Sequence, residues 1–219
     1  MTASTAPAAT LSARLKAETQ DQHTAAEKHP FHAMLFRGLL PLHVLLQHHS
    51  EMGLIQAALE DKLASTDAPE IRAVLQPHHR RASLFASDLV ASGMMPPKQP
   101  STQAAKRFIS EIQAADSATL LGVFYVLEGS TNGGRFIQAA IMKAYGPANP
   151  GLTVTALSPH GDHQMARWGA FRTGLDSVEL EPAKADRVVA GAARTFVAVT
   201  EVMEQIMPKG LVTPAAPAH

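Results

Sequence analysis

Apolar positions recur three and four residues apart through most of this chain, the spacing that gathers them on one side of an α-helix. The stretches that carry it are rich in Ala, Leu, Glu, Gln and Arg, and runs of β-branched residues are few. The pattern predicts helices over about residues 11–28, 41–64, 69–92, 101–115, 117–145, 160–177 and 182–207. Gly93 followed by MMPPKQP (94–100) ends one of them, Pro77 should kink or split another, and Pro182 suits a first helical turn. Ser101, Asp116 and Ser117 are residue types that cap helix starts. The segment GPANPGLTVTALSP (146–159) is a long connection without a pattern, with TVTAL at most a short extended piece, and it is expected to be mobile. Residues 1–10 and 208–219 hold few large apolar groups and are expected to be disordered tails around one all-α domain, 11–207.

Composition narrows the function classes. With 46% apolar residues the chain can build a sizeable core, and Lys plus Arg (19) offset Asp plus Glu (19). Neither a basic excess nor a basic stripe interleaved with aromatics is present, so nucleic-acid binding has no support. The longest apolar run, around Leu120 to Leu127, is far short of the roughly 20 residues that span a bilayer. The opening MTASTAPAAT has no basic and apolar regions of a secretory signal, so a cytoplasmic protein is expected. Cysteine is absent, which removes disulfides, thiolate metal sites and thiol nucleophiles together.

Two places stand out chemically. Leu11, Leu15, Thr19, His23 and Ala26 fall on one helix face, apolar apart from Thr19 and His23, and Glu27 follows His23 by one turn. An inward histidine with a carboxylate beside it can serve as a metal ligand of fixed tautomer, or simply as a hydrogen-bonded core residue. The second place is Gly129-Ser130-Thr131-Asn132-Gly133-Gly134, set between two helical runs. Three glycines in six residues each cost a helix interior about 0.5–1 kcal/mol relative to Ala, so they imply a bend, a tight helix contact or a backbone that a ligand must approach. A phosphate loop is excluded because no strand precedes the glycines and the Lys-Ser/Thr pair is missing. Most of the eleven histidines read as surface residues, with His160 and His163 as possible metal ligands at a helix start. No Glu-x-x-His occurs, which removes a di-iron carboxylate bundle, and no Gly-x-Ser-x-Gly occurs.

LKAETQDQHTAAE (15–27) resembles the opening helix of the heme oxygenase family, with Lys16, His23 and Glu27 at the family's lysine, iron-ligating histidine and following glutamate. YVLEGSTNGGRFI (125–137) resembles the distal helix of that family's bacterial, phytochrome-associated branch. FRTGLDSVELEP with ARTFVAVTEVMEQI is a weaker match that places Arg172 at a propionate-binding arginine and Phe196 at an aromatic lining the pocket. The resemblance implies a helical bundle with haem between a proximal helix, where His23 ligates iron and Glu27 orients it, and a kinked distal helix. Gly129, Gly133 and Gly134 would bring backbone over the ring, Ser130 and Asn132 would anchor distal water, and Lys16 and Arg172 would hold the propionates.

The implied activity is oxidative cleavage of haem to biliverdin, carbon monoxide and ferrous iron. It would use O2 and electrons from a ferredoxin or flavoprotein reductase, with a phytochrome as a possible acceptor of biliverdin. The chain departs from the family at Ser130, where many members carry aspartate, and at Asn132, where the phytochrome-associated branch has an apolar residue. The alternative is a haem or tetrapyrrole carrier of the same fold. A thiaminase-like relative is disfavoured by the missing cysteine.

Overall fold

The computed structural model describes residues 9–208, so the expected tails fall almost wholly outside it. Among the described residues the chain forms α1 (Leu11–Glu18), α2 (Gln20–Glu27), α3 (Pro30–Phe36), α4 (Leu42–Ser65), α5 (Pro69–Arg72), α6 (Ala82–Ala91), α7 (Gln103–Ala114), α8 (Ser117–Gly129), α9 (Thr131–Tyr145), α10 (Gln164–Asp176) and α11 (Pro182–Ile206), with no strand. Among the described residues no helix is long and apolar enough to cross a membrane.

Helix α8 lies at the centre because it has no polar stripe. Leu120, Leu121, Val123, Phe124, Val126 and Leu127 are all buried, as expected of a helix that is apolar all round. Helix α11 packs along it more extensively than any other pair of elements. Two glycines set the approach: a Cβ on Gly122 would overlap the Val188 carbonyl oxygen, and one on Gly191 would lie 2.5 Å from that of Thr119. Around this pair, Leu15, Ile55, Leu59, Phe108, Ile112 and Phe171 complete one core, while Phe31, Leu35, Val44, Ile141, Tyr145 and Met203 form a second. Each fully buried Leu or Phe among them contributes about 1.5–3 kcal/mol.

Three predicted helices are divided in the structure. The first breaks at Thr19, whose backbone leaves the helical range (φ −113°, ψ 11°) while its hydroxyl donates to the Leu15 carbonyl at 2.7 Å. The third gives α5, a 3-10 turn at Pro77–His79 and α6, because proline removes an internal donor. The fifth divides at Ser130. Helix α3 has no counterpart in the prediction, since seven residues are too few for a periodic signal. Its start is capped by the His29 ring, which accepts from the Phe31 amide at 3.2 Å.

The 146–159 connection is not the loose loop its composition suggests. Leu152 and Val154 are buried, and Asp88 gathers the segment round a single carboxylate. Asp88 accepts from the Thr153 and Thr155 hydroxyls at 2.8 Å each, the Ala156 amide at 3.0 Å and His49 Nε2 at 3.1 Å. Burial pushes this carboxyl upward, but the hydrogen bonds from His49, Ala156 and Thr155 outweigh it and hold it well below the usual range. TVTAL ends in a 3-10 turn, Thr155–Leu157, instead of an extended piece. The histidines also depart from the surface placement expected of most of them: His29, His49, His79 and His160 are buried.

Candidate functional site

The first site forms on the face shared by α1 and α2. Leu15, Thr19 and Ala26 are buried there, but the His23 side chain is 46% exposed. Its ring stands edge-on to Phe196 of α11, centroids 5.4 Å apart, and its Nδ1 lies 3.5 Å from Glu27 Oε2. That separation is at the outer limit of a hydrogen bond, so Glu27 is placed to orient the ring without gripping it. Nε2 has no protein partner among the described residues. A pocket of about 290 Å³ opens next to Phe196, walled also by Gln22, Ala25, Val197 and Thr200. His23 does not line it and presents its free nitrogen to open surface instead.

Lys16 and Arg172 are exposed and form no ion pair among the described residues. Their helices are clasped where Ser12 donates to Asp176 through both its amide and its hydroxyl, at 2.8 Å each. Lys16 lies one turn from this clasp on α1, and Arg172 one turn from it on α10. The structure therefore brings two free cations to the α1–α10 junction. Arg172 also acts on Tyr125 of α8, whose phenol is pushed up by burial and partly drawn back by the guanidinium.

The second site is the opening between α8 and α9. The Ser130 amide still bonds the Val126 carbonyl (2.9 Å) and the Gly134 amide bonds that of Ser130 (3.1 Å). Between them α8 ends and α9 starts afresh at Thr131. The last carbonyls of α8 are taken by side chains. Ser130 Oγ donates to Leu127 O at 2.7 Å, Thr131 Oγ1 to Glu128 O at 2.7 Å and Asn132 Nδ2 to Gly129 O at 3.0 Å. Three neighbouring polar residues thus close the end of α8, and the 15-residue α9 begins beside them with the end of its dipole that favours negative charge.

This geometry gives several predicted residues other work. Ser130 also accepts from Arg81 at 3.2 Å, and Asn132 Oδ1 accepts from Gln164 at 2.9 Å, which leaves each side chain part of its hydrogen-bonding capacity for a water. The glycines separate too. Gly133 is exposed, and a Cβ added there would meet nothing within 4 Å, whereas a Cβ on Gly134 would overlap the Leu157 carbonyl and one on Gly129 would lie 3.3 Å from the Trp168 ring. Gly134 is therefore required by the close approach of the 155–157 turn, and Gly133 alone presents open backbone.

A buried polar cluster behind the opening has no counterpart among the sequence-predicted residues beyond His160. Glu128, His79, His160 and Arg81 are each at most 3% exposed. The signal available is a lone glutamate inside the apolar run VFYVLEG, which has to find partners once buried. His160 bonds Glu128 at 2.8 Å, and among the described residues no three His, Asp or Glu side chains are arranged to hold a bare metal ion. His163 is exposed.

The sequence profile of heme oxygenase matches residues 9–205. No curated protein matches the sequence significantly. Among solved structures, heme oxygenase from Leptospira interrogans superposes with a TM-score of 0.79 at 19% identity, covering 90% of this chain and 100% of that one. Heme oxygenase-2 from Synechocystis sp. PCC 6803, solved in complex with heme and NO, gives 0.80 at 24% identity, over 90% and 85% of the two chains. A TenA homologue from P. horikoshii OT3 shares the fold more distantly, with a TM-score of 0.61 at 14% identity over 90% of this chain and 98% of that one. At these identities the structural likeness speaks for the fold alone, an all-α bundle, while the profile match spans nearly every described residue: the chain belongs to the heme oxygenase family.

Proposed function

We propose that this protein cleaves haem oxidatively to biliverdin, carbon monoxide and ferrous iron, with O2 and electrons from a ferredoxin or flavoprotein reductase. The observation that carries the reading is His23: on a face otherwise buried, it keeps a free Nε2 at the surface beside Phe196. The residues fit haem, a flat apolar ring with two carboxylates. His23 would hold the iron and Phe196 flank the ring, while Lys16 and Arg172 would take the propionates, arginine being suited to bidentate carboxylate pairing.

Bound haem supplies the iron that activates dioxygen and the ring carbon that is attacked. The chain's own contribution on the far side would be the start of α9, where Gly133 is exposed and presents open backbone. Its amide would donate a hydrogen bond where negative charge develops, and residues 129–134 carry no titratable side chain. Ser130, standing where many members have aspartate, is occupied by Leu127 and Arg81, which keeps the opening in shape. The Glu-Gly-Ser and Gly-Gly elements (128–130 and 133–134) support a place in the bacterial, phytochrome-associated branch, with a phytochrome as biliverdin acceptor.

The test is hemin titration followed by reduction with ascorbate or a reductase system while the Soret band is followed. Wild type should bind one haem with an imidazole-ligated spectrum and convert it to biliverdin. His23→Ala should lose that spectrum and turnover, and added imidazole should partly restore both. Binding without conversion under any reductant would make the protein a carrier, and an unchanged spectrum in His23→Ala would move the ligand elsewhere.

A further inference from the structure

The opening between α8 and α9 is gripped from behind by charged side chains that haem binding does not use. Glu128, on the last turn of α8, accepts from His160 Nε2 at 2.8 Å. Arg167 of α10 donates to the other nitrogen of that ring at 2.9 Å, which makes Nδ1 the acceptor and leaves the proton on Nε2. The result is an ion pair bridged by an imidazole, Arg167–His160–Glu128, tying α10 to α8. His79 approaches the same carboxylate from the Pro77–His79 turn. Its Nδ1 accepts the Gln76 amide at 3.0 Å, and its Nε2, buried without a partner, lies 4.0 Å from Glu128 Oε1.

The grip extends along the opening. Arg81 donates to Leu127 O (2.5 Å), Ser130 Oγ (3.2 Å) and Ala156 O (3.1 Å). Gln164 donates to Thr131 Oγ1 (2.8 Å) and Asn132 Oδ1 (2.9 Å). The remaining charged and titratable neighbours are His78, whose ring is 5.4 Å from that of His160, and Glu60 of α4, which accepts the Arg81 amide at 2.7 Å. Burial pushes the Glu128 carboxyl up, and the His160 hydrogen bond, followed by the attraction of His79 and Arg81, outweighs that and holds it below its ordinary value.

We propose that Glu128 is a positioning residue: its carboxylate, fixed by the His160–Arg167 bridge, holds the α8–α9 opening in register and so sets where the start of α9, with its exposed Gly133, stands over bound haem. The inference rests on the haem reading above. It differs from a plain electrostatic role in sign. Amides that face an anionic ligand on the far side of ferric haem favour its hydroxide form, so loosening them raises the pH of the acid–alkaline transition. Removing a nearby negative charge does the opposite.

The experiment uses Glu128→Gln, which keeps the size and one acceptor, and His160→Gln, which keeps the Glu128 charge and a donor. Two quantities are read: the acid–alkaline transition of the ferric haem complex, and amide hydrogen exchange of the haem-free protein. The transition should rise in both variants by about half a pH unit, a threefold change in hydroxide affinity. Exchange at Ser130 and Gly134, whose bonds flank the opening, should accelerate about tenfold while amides of α7 keep their wild-type rates. A transition that falls or stays, or unchanged exchange at those two amides, overturns the proposal; if Glu128→Gln does not fold, His160→Gln decides alone. A wild type without a His23-dependent haem spectrum would instead overturn the haem reading, and the exchange arm would still decide whether Glu128 holds the opening.

Discussion

Gly134 lies with its backbone against the Leu157 carbonyl oxygen, where a Cβ would overlap it, while one helical position earlier Gly133 meets nothing within 4 Å. The two glycines of one motif therefore answer to different constraints. Gly134→Ala should destabilise the haem-free protein by about 1–3 kcal/mol, since the 155–157 turn is pinned by Asp88 and cannot retreat freely. Gly133→Ala should leave it equally stable or raise stability by up to about 1 kcal/mol, the helix-propensity gain. In Gly133→Ala haem should bind through His23 but turn over more slowly. Urea denaturation of the two variants checks the first contrast, and equal stabilities would contradict the packing account.

The exposed, unpaired state of Lys16 and Arg172 makes a clean separation of folding from ligand seating. Replacing either by Ala should change stability by no more than about 0.5 kcal/mol. Haem retention should weaken, and chromatography of the bilin from Arg172→Ala should show a mixed isomer pattern. An unchanged product and affinity would remove Arg172 from the site.

Acid should destabilise the fold earlier than its carboxylates alone require. Burial pushes the His48 imidazole down to about 3 and that of His79 to about 4, from an ordinary value of 6.5. The unfolded chain therefore takes up protons that the folded chain refuses. Stability from these two residues is complete above pH 6.5 and declines as pH falls from 6.5 toward 4, by up to about 1.4 kcal/mol per unit for each. His48 Nε2 has no partner and its ring packs on Phe31 at 4.6 Å, so His48→Leu breaks no bond at that nitrogen. The slope of stability against pH should be shallower in His48→Leu over that window, and an identical slope would exclude His48 as a contributor.

Limited proteolysis should spare residues 146–159 in the wild type. In Asp88→Ala it should cut there first, because the threonine hydroxyls and the Ala156 amide lose their shared acceptor and His49 is left buried without its partner. The loss should be about 1–3 kcal/mol or more, the cost of leaving buried hydrogen-bonding groups without their partner. Early cleavage of the wild-type segment would show that Asp88 does not hold it.

How far the sequence can be read depends on which interactions are local. The long helices α4, α7 and α11 carry their periodicity in one stretch, and their ends fall within a few residues of the prediction. The glycine motif and the His23–Glu27 spacing are likewise local, and both reach open surface in the structure. Asp88 and Glu128 are not legible in this way. Their partners come from residues 32 to 68 positions away along the chain, and a lone carboxylate in an apolar run says that partners must exist without saying which. The 146–159 segment reads as loose for the same reason: its order comes from Asp88, outside its own composition. Ser130 and Asn132 can be recognised as polar residues at a bend, but not as caps on the last carbonyls of α8, because that role needs the helix to open first.

The three side chains that close the carbonyls of residues 127–129 belong to the same short segment that opens the helix. The proposed far wall is consequently preorganised within the chain, by these three side chains together with Arg81 and Gln164 behind them. Little ordering entropy is then charged to that side when a ring docks. The proposed proximal side differs, since His23 and Glu27 are 46% and 66% exposed and would lose rotamer freedom if His23 ligates haem. Differences in residence time among variants should therefore arise chiefly from the helix that carries the imidazole, and changes at the opening should register in the chemistry that follows docking.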